Sequence, residues 1–467
     1  MATALHSYDV MPNNYLPLTI TGLRAAIDAD PAFAEAAAQA QFDHARRFGD
    51  RYNCFVQRNE LSEGWQPKRT GVLNGVALAH KDVFNSGRRA PFCGQRSPLE
   101  QGPLERALVL ERLESSGAAD LGALVMAELA CGPTGDNPHY PRPVNPLDED
   151  AAVGGSSSGS AVAVAAGLCY ASLGTDTSGS VRIPAATCGV VGFKPTFGRI
   201  PRAGAMVLSP SLDTVGILAR SAADVALLLR TIADEVAPKL GGDGLQQTRD
   251  ETKRWRIRNC IPMERFAPSV RNAVDDFLGA IADFADIREG RIDGLSEANR
   301  LCAIILHVEA AHTLASVVTS RLPSLATSTQ SIALPGFAIP AIYYADALQQ
   351  RTSIKNALLE GLFRDDDIVL LPALAEEVPS WDEVQRGSPD FNPDKYQALY
   401  EWMPCANLTG LPAVVFPIRS GKGRRVISVQ AMARPLADEE LLGFTYRVEC
   451  SLFGPDGVLT PPTRIAV

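Results

Sequence analysis

The sequence predicts an α/β fold, in which one large domain has a mixed, mostly parallel central sheet covered by helices on both faces. Short apolar, β-branched runs alternate along the chain with segments whose apolar residues recur at helical spacing. That alternation favours a mostly parallel sheet. No repeat of solenoid length is present. The elements are expected to form one domain.

The elements follow in chain order. Residues 19–49 predict a helical hairpin, with Asp30 and Pro31 as cap and first position of a helix. This hairpin belongs to an N-terminal helical segment, residues 1–70, expected to pack on the core of residues 71–467. The predicted strands are 72–79, 118–126, 190–194, 368–371, 413–418 and 426–433. The other predicted helices are 105–116, 221–232, 269–287, 297–320, 352–363 and 438–449.

Composition narrows the class of partner and the cell compartment. The net charge is −9, and the 44 basic side chains form no long patch, so neither nucleic acid nor a membrane is an expected partner. The nine cysteines are odd in number and lack CxxC spacing, which predicts reduced core residues. Residues 1–14 show no secretory pattern and no long apolar stretch exists, so a cytoplasmic location is the default expectation.

The stretch from residue 154 to residue 184 has the most unusual composition. Two serine clusters embedded in glycine flank a helix-like run at 161–168 and a strand-like run at 168–174. Glycine lets the backbone bend sharply and approach a ligand closely. The same composition is found in flexible linkers, but a linker would lie between domains, and here a helix and a strand follow directly.

Generic motifs in this stretch offer weak alternatives. Residues 155–159 satisfy G-x-S-x-G, which would make Ser157 the nucleophile of an α/β-hydrolase. The histidines that follow, His307 and His312, lie within a predicted helix, where a core or surface role is expected. No HExxH, PCxxC or Walker-type pattern is present, so neither a metal nor another cofactor is expected.

Lysine is the remaining candidate base. A neutral amine can take a proton from a serine hydroxyl when burial lowers its pKa from about 10.4 towards 7–8. Lys81 follows an apolar strand and fits this role better than Lys194, whose FKP context is typical of a strand end. The plain alternative is a solvated lysine at the end of a strand.

A long ordered set of motifs covers nearly the whole chain. The motifs are HKD at 80–82, GGSSSGSAVAVAAG at 154–167, GTDTSGSVRIPAATCGVVGFKPTFG at 174–198, LDTVG at 212–216, NLTGLPAVVFP at 407–417 and VQAMARPLADEELL at 429–442. Together they resemble the amidase signature family of serine hydrolases, which use a Ser-cisSer-Lys triad. The resemblance implies the amidase signature fold, with residues 71–467 as the catalytic domain.

The resemblance also implies the role of each triad residue. Ser180 corresponds to the nucleophile that accepts the acyl group. Ser156 corresponds to the serine after a cis peptide bond and would pass the proton on to Lys81, the base.

Neighbouring residues receive supporting roles from the same resemblance. The backbone N–H groups of Thr177, Ser178, Gly179 and Ser180 would form the oxyanion hole. Three further residues are expected to shape the loops rather than to bind substrate: Gly155 reduces crowding at the cis bond, and Asp176 pairs with Arg182. Ser158 and Ser178 depart from the family pattern, which commonly has glycine at both positions.

The function implied is an amidohydrolase that cleaves a small carboxamide through a serine acyl-enzyme. The alternatives are a glutaminase subunit of a tRNA-dependent amidotransferase complex, and a hydrolase of carbamate-type or urea-type substrates on the same triad. A non-catalytic binding protein is disfavoured because all three triad residues are present. The sequence leaves the oligomeric state open, a homodimer included.

Overall fold

The computed structural model describes residues 15–61, 65, 67–68, 71–99, 102–234, 253–374, 376–420, 425–454, 458 and 465. Residues 1–14, on which the expectation about a secretory signal rests, lie outside the described residues. The strands are β1 (Phe55–Arg58), β2 (Ala77–Lys81), β3 (Ala119–Leu124), β4 (Ala171–Asp176), β5 (Val191–Lys194), β6 (Thr214–Ala219), β7 (Trp255–Asn259), β8 (Ala285–Glu289), β9 (Ile368–Pro372), β10 (Ala413–Ser420) and β11 (Val426–Ala433).

Helices fill the segments between these strands. They are α1 (Ile20–Ala29), α2 (Phe33–Phe48), α3 (Leu108–Ser115), α4 (Ser158–Ala165), α5 (Arg182–Cys188), α6 (Ala222–Ile232), α7 (Pro268–Ile281), α8 (Leu295–Thr313), α9 (Ala315–Arg321), α10 (Thr327–Ala333), α11 (Ala341–Gly361), α12 (Trp381–Val384), α13 (Pro393–Ala398), α14 (Pro404–Thr409) and α15 (Asp438–Phe453).

Eight strands form the central sheet, in the order β4-β6-β5-β10-β11-β9-β7-β8. The sheet is mixed, as predicted, but the expectation that it is mostly parallel is wrong. Among the described strands of this sheet, β9-β7 and β7-β8 pair in parallel, whereas the other neighbours pair antiparallel. Strands β4 and β5, joined through α5, do run in the same direction, but β6 inserts between them and runs the opposite way.

Helices cover both faces of this sheet, as predicted. Successive side chains of a strand point to opposite faces. On β10, the Phe416 ring packs against Phe277 of α7 and Phe444 of α15, with ring centroids 6.1 and 6.5 Å away. The preceding residue, Val415, shares a buried cluster with Ile183 of α5. Helix α5, which follows Ser180, therefore lies on the opposite face of the sheet from α7 and α15.

A second sheet carries the predicted lysine. It has the order β1-β3-β2, with β2 parallel to β3 across α3, as the alternation of elements predicts. Strand β2 also lies beside β4, since the Leu173 N–H donates to His80 Nδ1 at 3.1 Å. The end of β2 at Lys81 is thereby brought next to the end of β4 at Asp176.

The two N-terminal helices pack on this body. The Ile20 N–H, at the start of α1, donates to Asp224 of α6 at 3.0 Å. The Gln41 side chain on α2 accepts the Ala77 N–H of β2 at 2.7 Å. The division into residues 1–70 and 71–467 stays a prediction.

Some predicted elements change at their ends. The strand predicted at 72–79 is β2, shifted to Ala77–Lys81, and the helix predicted at 269–287 ends at Ile281 and is followed by β8. Strand β8 forms the edge of the described sheet, beside β7, and its side chains are mostly exposed. An edge strand of this kind lacks the apolar alternation that identifies buried strands.

Eight of the nine cysteines are free thiols in buried positions, and the ninth, Cys450, is half-buried. No single helix among the described residues is long and apolar enough to cross a membrane. Two pairs of consecutive helices would be long and apolar enough if the two helices of each pair were counted as one span. Each pair is bent at a short break, and the pairs run from Leu295 to Ser324 and from Thr327 to Gly361.

Candidate active site

Lys81 ends β2 with its side chain fully inside the protein, 1% exposed. Its Nζ lies 2.7 Å from Ser156 Oγ and 2.8 Å from Thr175 Oγ1. Thr175 comes from β4, next to β2. The structure thus brings two of the predicted triad residues, which lie 75 positions apart, into direct contact. Sequence reasoning missed Thr175, because its contact with Lys81 depends on how the two sheets meet.

The environment of Lys81 favours its neutral form. Burial lowers the pKa of Lys81 to about 7, while the nearby Asp213 and Asp176 carboxylates act in the opposite direction. Asp213 is itself buried, which raises its pKa, and it accepts the Thr177 hydroxyl at 2.6 Å. At neutral pH a large fraction of Lys81 can therefore accept a proton, as general base catalysis requires.

Ser156 follows a cis peptide bond, Gly155-Ser156. Its side chain is completely buried, and its carbonyl accepts the Ala127 N–H at 3.1 Å. Gly155 has no room for a side chain, because a Cβ there would lie 2.5 Å from the Gly135 nitrogen and 2.7 Å from the Gly132 carbonyl oxygen. The loop at 132–135 thus fits closely around the cis bond.

Ser180 lies in the turn between β4 and α5 and is half-buried. Its carbonyl accepts the Ser157 N–H at 3.1 Å, so the segment after the cis bond is adjacent to the predicted nucleophile. The hydroxyl of Ser157 itself is buried and lies 3.5 Å from the Thr175 carbonyl.

The Asp176–Arg182 pair fixes this turn. Both side chains are fully buried, and Arg182 donates to Asp176 through Nε at 3.0 Å and Nη2 at 2.9 Å. Asp176 also accepts the Val181 N–H at 3.1 Å. Burial alone would raise the pKa of Asp176, but the Arg182 guanidinium and the hydrogen bonds hold it well below its usual range. The carboxylate is therefore ionised and ties both ends of the turn.

Two residues that sequence reasoning missed connect the Asp176–Arg182 pair to other elements. Arg182 donates to Asn407 Oδ1 at 2.6 Å and to the Gln430 side chain, and Asn407 donates to the Asp176 carbonyl at 2.9 Å. Both residues lie within motifs noted in the sequence, at 407–417 and 429–442, but their partner is more than 200 positions away. The sequence therefore shows both motifs, but it does not show which distant residues they contact.

The predicted oxyanion donors differ in their availability. The Gly179 N–H donates to Asp176 Oδ1 at 2.9 Å, so it is not free to be one of the four predicted donors. The N–H groups of Thr177, Ser178 and Ser180 have no acceptor among the described residues. These three residues line a common cavity, where a substrate oxygen could accept their hydrogen bonds.

That cavity has a volume of about 260 Å³. Its lining comes from six segments of the chain. The lining residues are Ala130, Cys131, Gly132, Pro133, Thr177, Ser178, Ser180, Ile183, Leu208, Asn299, Ala303, Leu306, His307, Ser328, Ser331, Ile332, Arg386, Tyr396, Tyr400 and Pro404. Most of the wall is apolar, and the cavity is smaller than typical sites for drug-sized ligands, which begin at about 300 Å³.

His307, expected to have a core or surface role, lies on the wall of this cavity. Its Nδ1 lies 2.8 Å from the Ile332 carbonyl oxygen, which orients the ring. No motif marks the distal lining residues, because they converge from helices distant in the sequence. Within the described part of the chain, no group of three or more His, Cys, Asp or Glu residues is placed to hold a metal ion.

Comparisons with known proteins found similar sequences and similar structures. A family profile described as Amidase matches residues 53–442. A glutamyl-tRNA(Gln) amidotransferase subunit from Chromohalobacter salexigens is 30% identical over 92% of this chain and 96% of its own length. A protein of the same name from Anaeromyxobacter sp. (strain K) is 49% identical, but the alignment spans only 36% of this chain and 34% of that protein. A crystal structure described as an amidase superposes with a TM-score of 0.81 at 28% identity, over 93% of this chain and all of that chain.

Proposed function

Because the chain belongs to the amidase signature family, we propose that it is an amidohydrolase that cleaves the C–N bond of a small carboxamide through a serine acyl-enzyme. Ser180 is the nucleophile, Ser156 the proton relay and Lys81 the base. Ammonia or an amine leaves first, and water then releases the carboxylic acid and restores Ser180. The reaction needs no cofactor.

The proton path follows from the burial of Lys81. Neutral Lys81 accepts a proton from Ser156, which in turn takes the proton of the Ser180 hydroxyl as its oxygen attacks the substrate carbonyl. The C–N bond then breaks, and the same proton returns through Ser156 to the leaving nitrogen. In the second half of the cycle, a water molecule takes the place of the amine.

The developing negative charge falls on the substrate carbonyl oxygen. The free N–H groups of Thr177, Ser178 and Ser180 are the proposed donors to it, without that of Gly179. Removing one donor from such a hole typically costs about 10²–10³-fold in rate. Asp176 and Arg182 hold the turn in position and do not contact the substrate.

One observation supports this proposal above the others. The Lys81 amine lies 2.7 Å from Ser156 Oγ, with both side chains buried, and Ser180 faces an apolar cavity. Shielding from water lowers the pKa of a lysine towards the working pH, so that its amine can act as a base. Contact with a serine hydroxyl places that base beside the proton it accepts.

Release of ammonia tests this proposal. A screen over aliphatic, aryl, α-substituted and carbamate substrates is expected to find turnover with the wild-type protein. In Ser180→Ala, turnover should fall by about 10⁴-fold or more, as loss of a serine nucleophile does elsewhere. Circular dichroism checks that the variant is folded.

Ser157→Ala is the matched control, because it removes a hydroxyl from the same stretch and would disable the alternative G-x-S-x-G nucleophile. It is expected to retain most of the activity. Full activity in Ser180→Ala, or loss of activity in Ser157→Ala alone, would refute the assignment.

A second candidate function is a glutaminase that works within a larger complex. It is favoured by the relatives, each of which is named as one subunit of a glutamyl-tRNA(Gln) amidotransferase. Glutamine hydrolysis that requires added partner proteins would identify this function. Hydrolysis of simple carboxamides by the isolated chain would favour the stand-alone enzyme.

Carbamate and urea-type substrates share the same acyl chemistry, and the substrate screen separates them from carboxamides. A cytoplasmic location, a small soluble substrate, and the absence of nucleic acid and membrane partners stay predictions. Whether the chain forms a homodimer is likewise open to measurement.

A further inference from the structure

The cavity at Ser180 carries charge at one position. Among the described residues that line it, Arg386 is the one lysine or arginine, and none is an aspartate or glutamate. Thr177, Ser178 and Ser180 are buried or half-buried, whereas Arg386 is exposed. The arginine therefore lies at the mouth of the cavity and the serines lie at its floor.

Neutral groups hold the Arg386 guanidinium in place. Its Nη1 donates to Ser331 Oγ of α10 at 2.7 Å, and the guanidinium carbon lies 4.7 Å from the centroid of the Tyr396 ring. Tyr396 packs edge-on against Tyr400, with ring centroids 6.1 Å apart. No carboxylate among the described residues forms an ion pair with Arg386, so these residues orient its charge without neutralising it.

A fixed guanidinium without an acidic partner suits a carboxylate ligand. Arginine binds carboxylates through two parallel hydrogen bonds, and its planar shape makes this geometry specific. Between the mouth and the floor the wall is mainly apolar, with side chains such as Ile183, Leu306 and Ile332. A substrate that matches all three regions has an amide at one end, an apolar middle and an anion at the other end.

We propose that Arg386 selects carboxamides whose acyl part ends in a carboxylate, that is, monoamides of dicarboxylic acids. The inference rests on the proposed function, since it takes Ser180 as the atom that receives the acyl group. Glutamine fits this class less well, because its ammonium group would meet no aspartate or glutamate on the described lining.

The test compares three amides of equal length that differ only at the far end. The series consists of monoamides of C4 to C8 dicarboxylic acids, the corresponding methyl-ended amides and the corresponding amides that end in an ammonium group. For the best chain length, kcat/KM of the wild-type protein is expected to be about tenfold higher for the carboxylate than for the methyl group, a value typical of a partly exposed charge-assisted pair. The ammonium substrate should be the poorest.

Two substitutions of Arg386 measure its part in this preference. Arg386→Gln should lower the ratio of kcat/KM for carboxylate over methyl by about tenfold, to near one. Arg386→Glu should make the ammonium substrate better than the carboxylate substrate. Arg291→Gln is the control, because Arg291 is 84% exposed, pairs with Asp293 and does not line the cavity. It should keep the wild-type ratio.

The inference fails if Arg386→Gln and Arg386→Glu leave the ratio at its wild-type value, or if they lower kcat/KM for all three substrates equally. Dissociation constants of the same amides for Ser180→Ala, followed by intrinsic fluorescence, separate this inference from the proposed function. Hydrolysis without charge preference overturns the role of Arg386 alone. Charge-dependent binding that requires Arg386, without any hydrolysis by the wild-type protein, overturns the proposed function alone.

Discussion

Two buried lysines show why a lowered pKa does not by itself identify a base. Burial lowers the pKa of both Lys81 and Lys194 to about 7. Lys81 contacts the hydroxyls of Ser156 and Thr175, whereas Lys194 donates to the Pro195 carbonyl at 2.8 Å. A carbonyl has no proton to give, so of the two lysines it is Lys81 that lies where a neutral amine can act.

This difference predicts two distinct pH profiles. In the wild-type protein, kcat/KM should fall as the pH drops below about 7, because protonated Lys81 cannot accept a proton. Lys81→Met should lose about 10²–10⁴-fold in kcat/KM and no longer titrate near neutrality. Measurement of kcat/KM from pH 5 to pH 9 checks both.

Lys194→Met is the matched control, because it removes an equally buried lysine, at the end of β5 in the eight-stranded sheet. Its profile should keep the wild-type midpoint even if the variant is less stable. A midpoint near 7 that survives in Lys81→Met and disappears in Lys194→Met would reverse the assignment of the base.

Sequence reasoning found Lys81, Ser156 and Ser180 because each lies in a local motif, and the resemblance to a family assigns a role to each of these motif positions. It could not find Thr175 or Arg386. Their roles depend on contacts with residues far away in the chain, and no local pattern encodes such a contact. For the same reason the sequence could not show that the Gly179 N–H, expected to be an oxyanion donor, donates instead to Asp176 in the folded turn.

At the level of elements, the turn from β4 to α5 depends on one buried ion pair. Asp176 and Arg182 link this turn to α14 and β11 through Asn407 and Gln430. Both charges are completely buried, so loss of one partner leaves the other without compensation. The turn that carries Ser180 is thus held by a network that reaches from β4 to α14 and β11.

Removing Arg182 should therefore be costly. Arg182→Met is expected to lower the free energy of unfolding by about 3–5 kcal/mol, the usual range for a broken buried pair. Because the pKa of Asp176 is lower in the folded than in the unfolded chain, the contribution of this carboxylate is complete above about pH 4 and declines only in stronger acid. Urea unfolding at pH 7 measures the loss.

The exposed pair Arg291–Asp293 provides the comparison, since its side chains are 84% and 79% exposed. Arg291→Met should change the free energy of unfolding by no more than about 1 kcal/mol. Equal effects of Arg182→Met and Arg291→Met would contradict the view that the buried pair anchors the turn.

Element types are easier to predict than strand directions. Helix α6, capped by Ser221, and strands β9 to β11 lie near their predicted positions, because burial imposes a clear apolar pattern. The predicted direction of neighbouring strands is wrong, since the insertion of β6 between β4 and β5 is a long-range event. Alternation along the chain fixes which elements form, but not which of them become neighbours.

At the scale of the whole molecule, the site exists only when distant segments come together. The cavity lining draws on the loop at 130–133, the turn at 177–183, helices α8 and α10, and the segment at 386–404. The family profile spans residues 53–442, which includes all of them. The chemistry is therefore a property of the complete fold rather than of the serine-rich stretch alone.

Covalent labelling decides whether Ser180 accepts the acyl group. A fluorophosphonate reacts with serines that are activated by a neighbouring base, and intact mass followed by peptide mapping identifies the modified residue. The wild-type protein and Ser157→Ala should each gain one adduct, on the peptide that contains Ser180, and Ser180→Ala should gain none. Labelling of Ser180→Ala at the wild-type rate, or an adduct on another serine, would contradict the proposed mechanism.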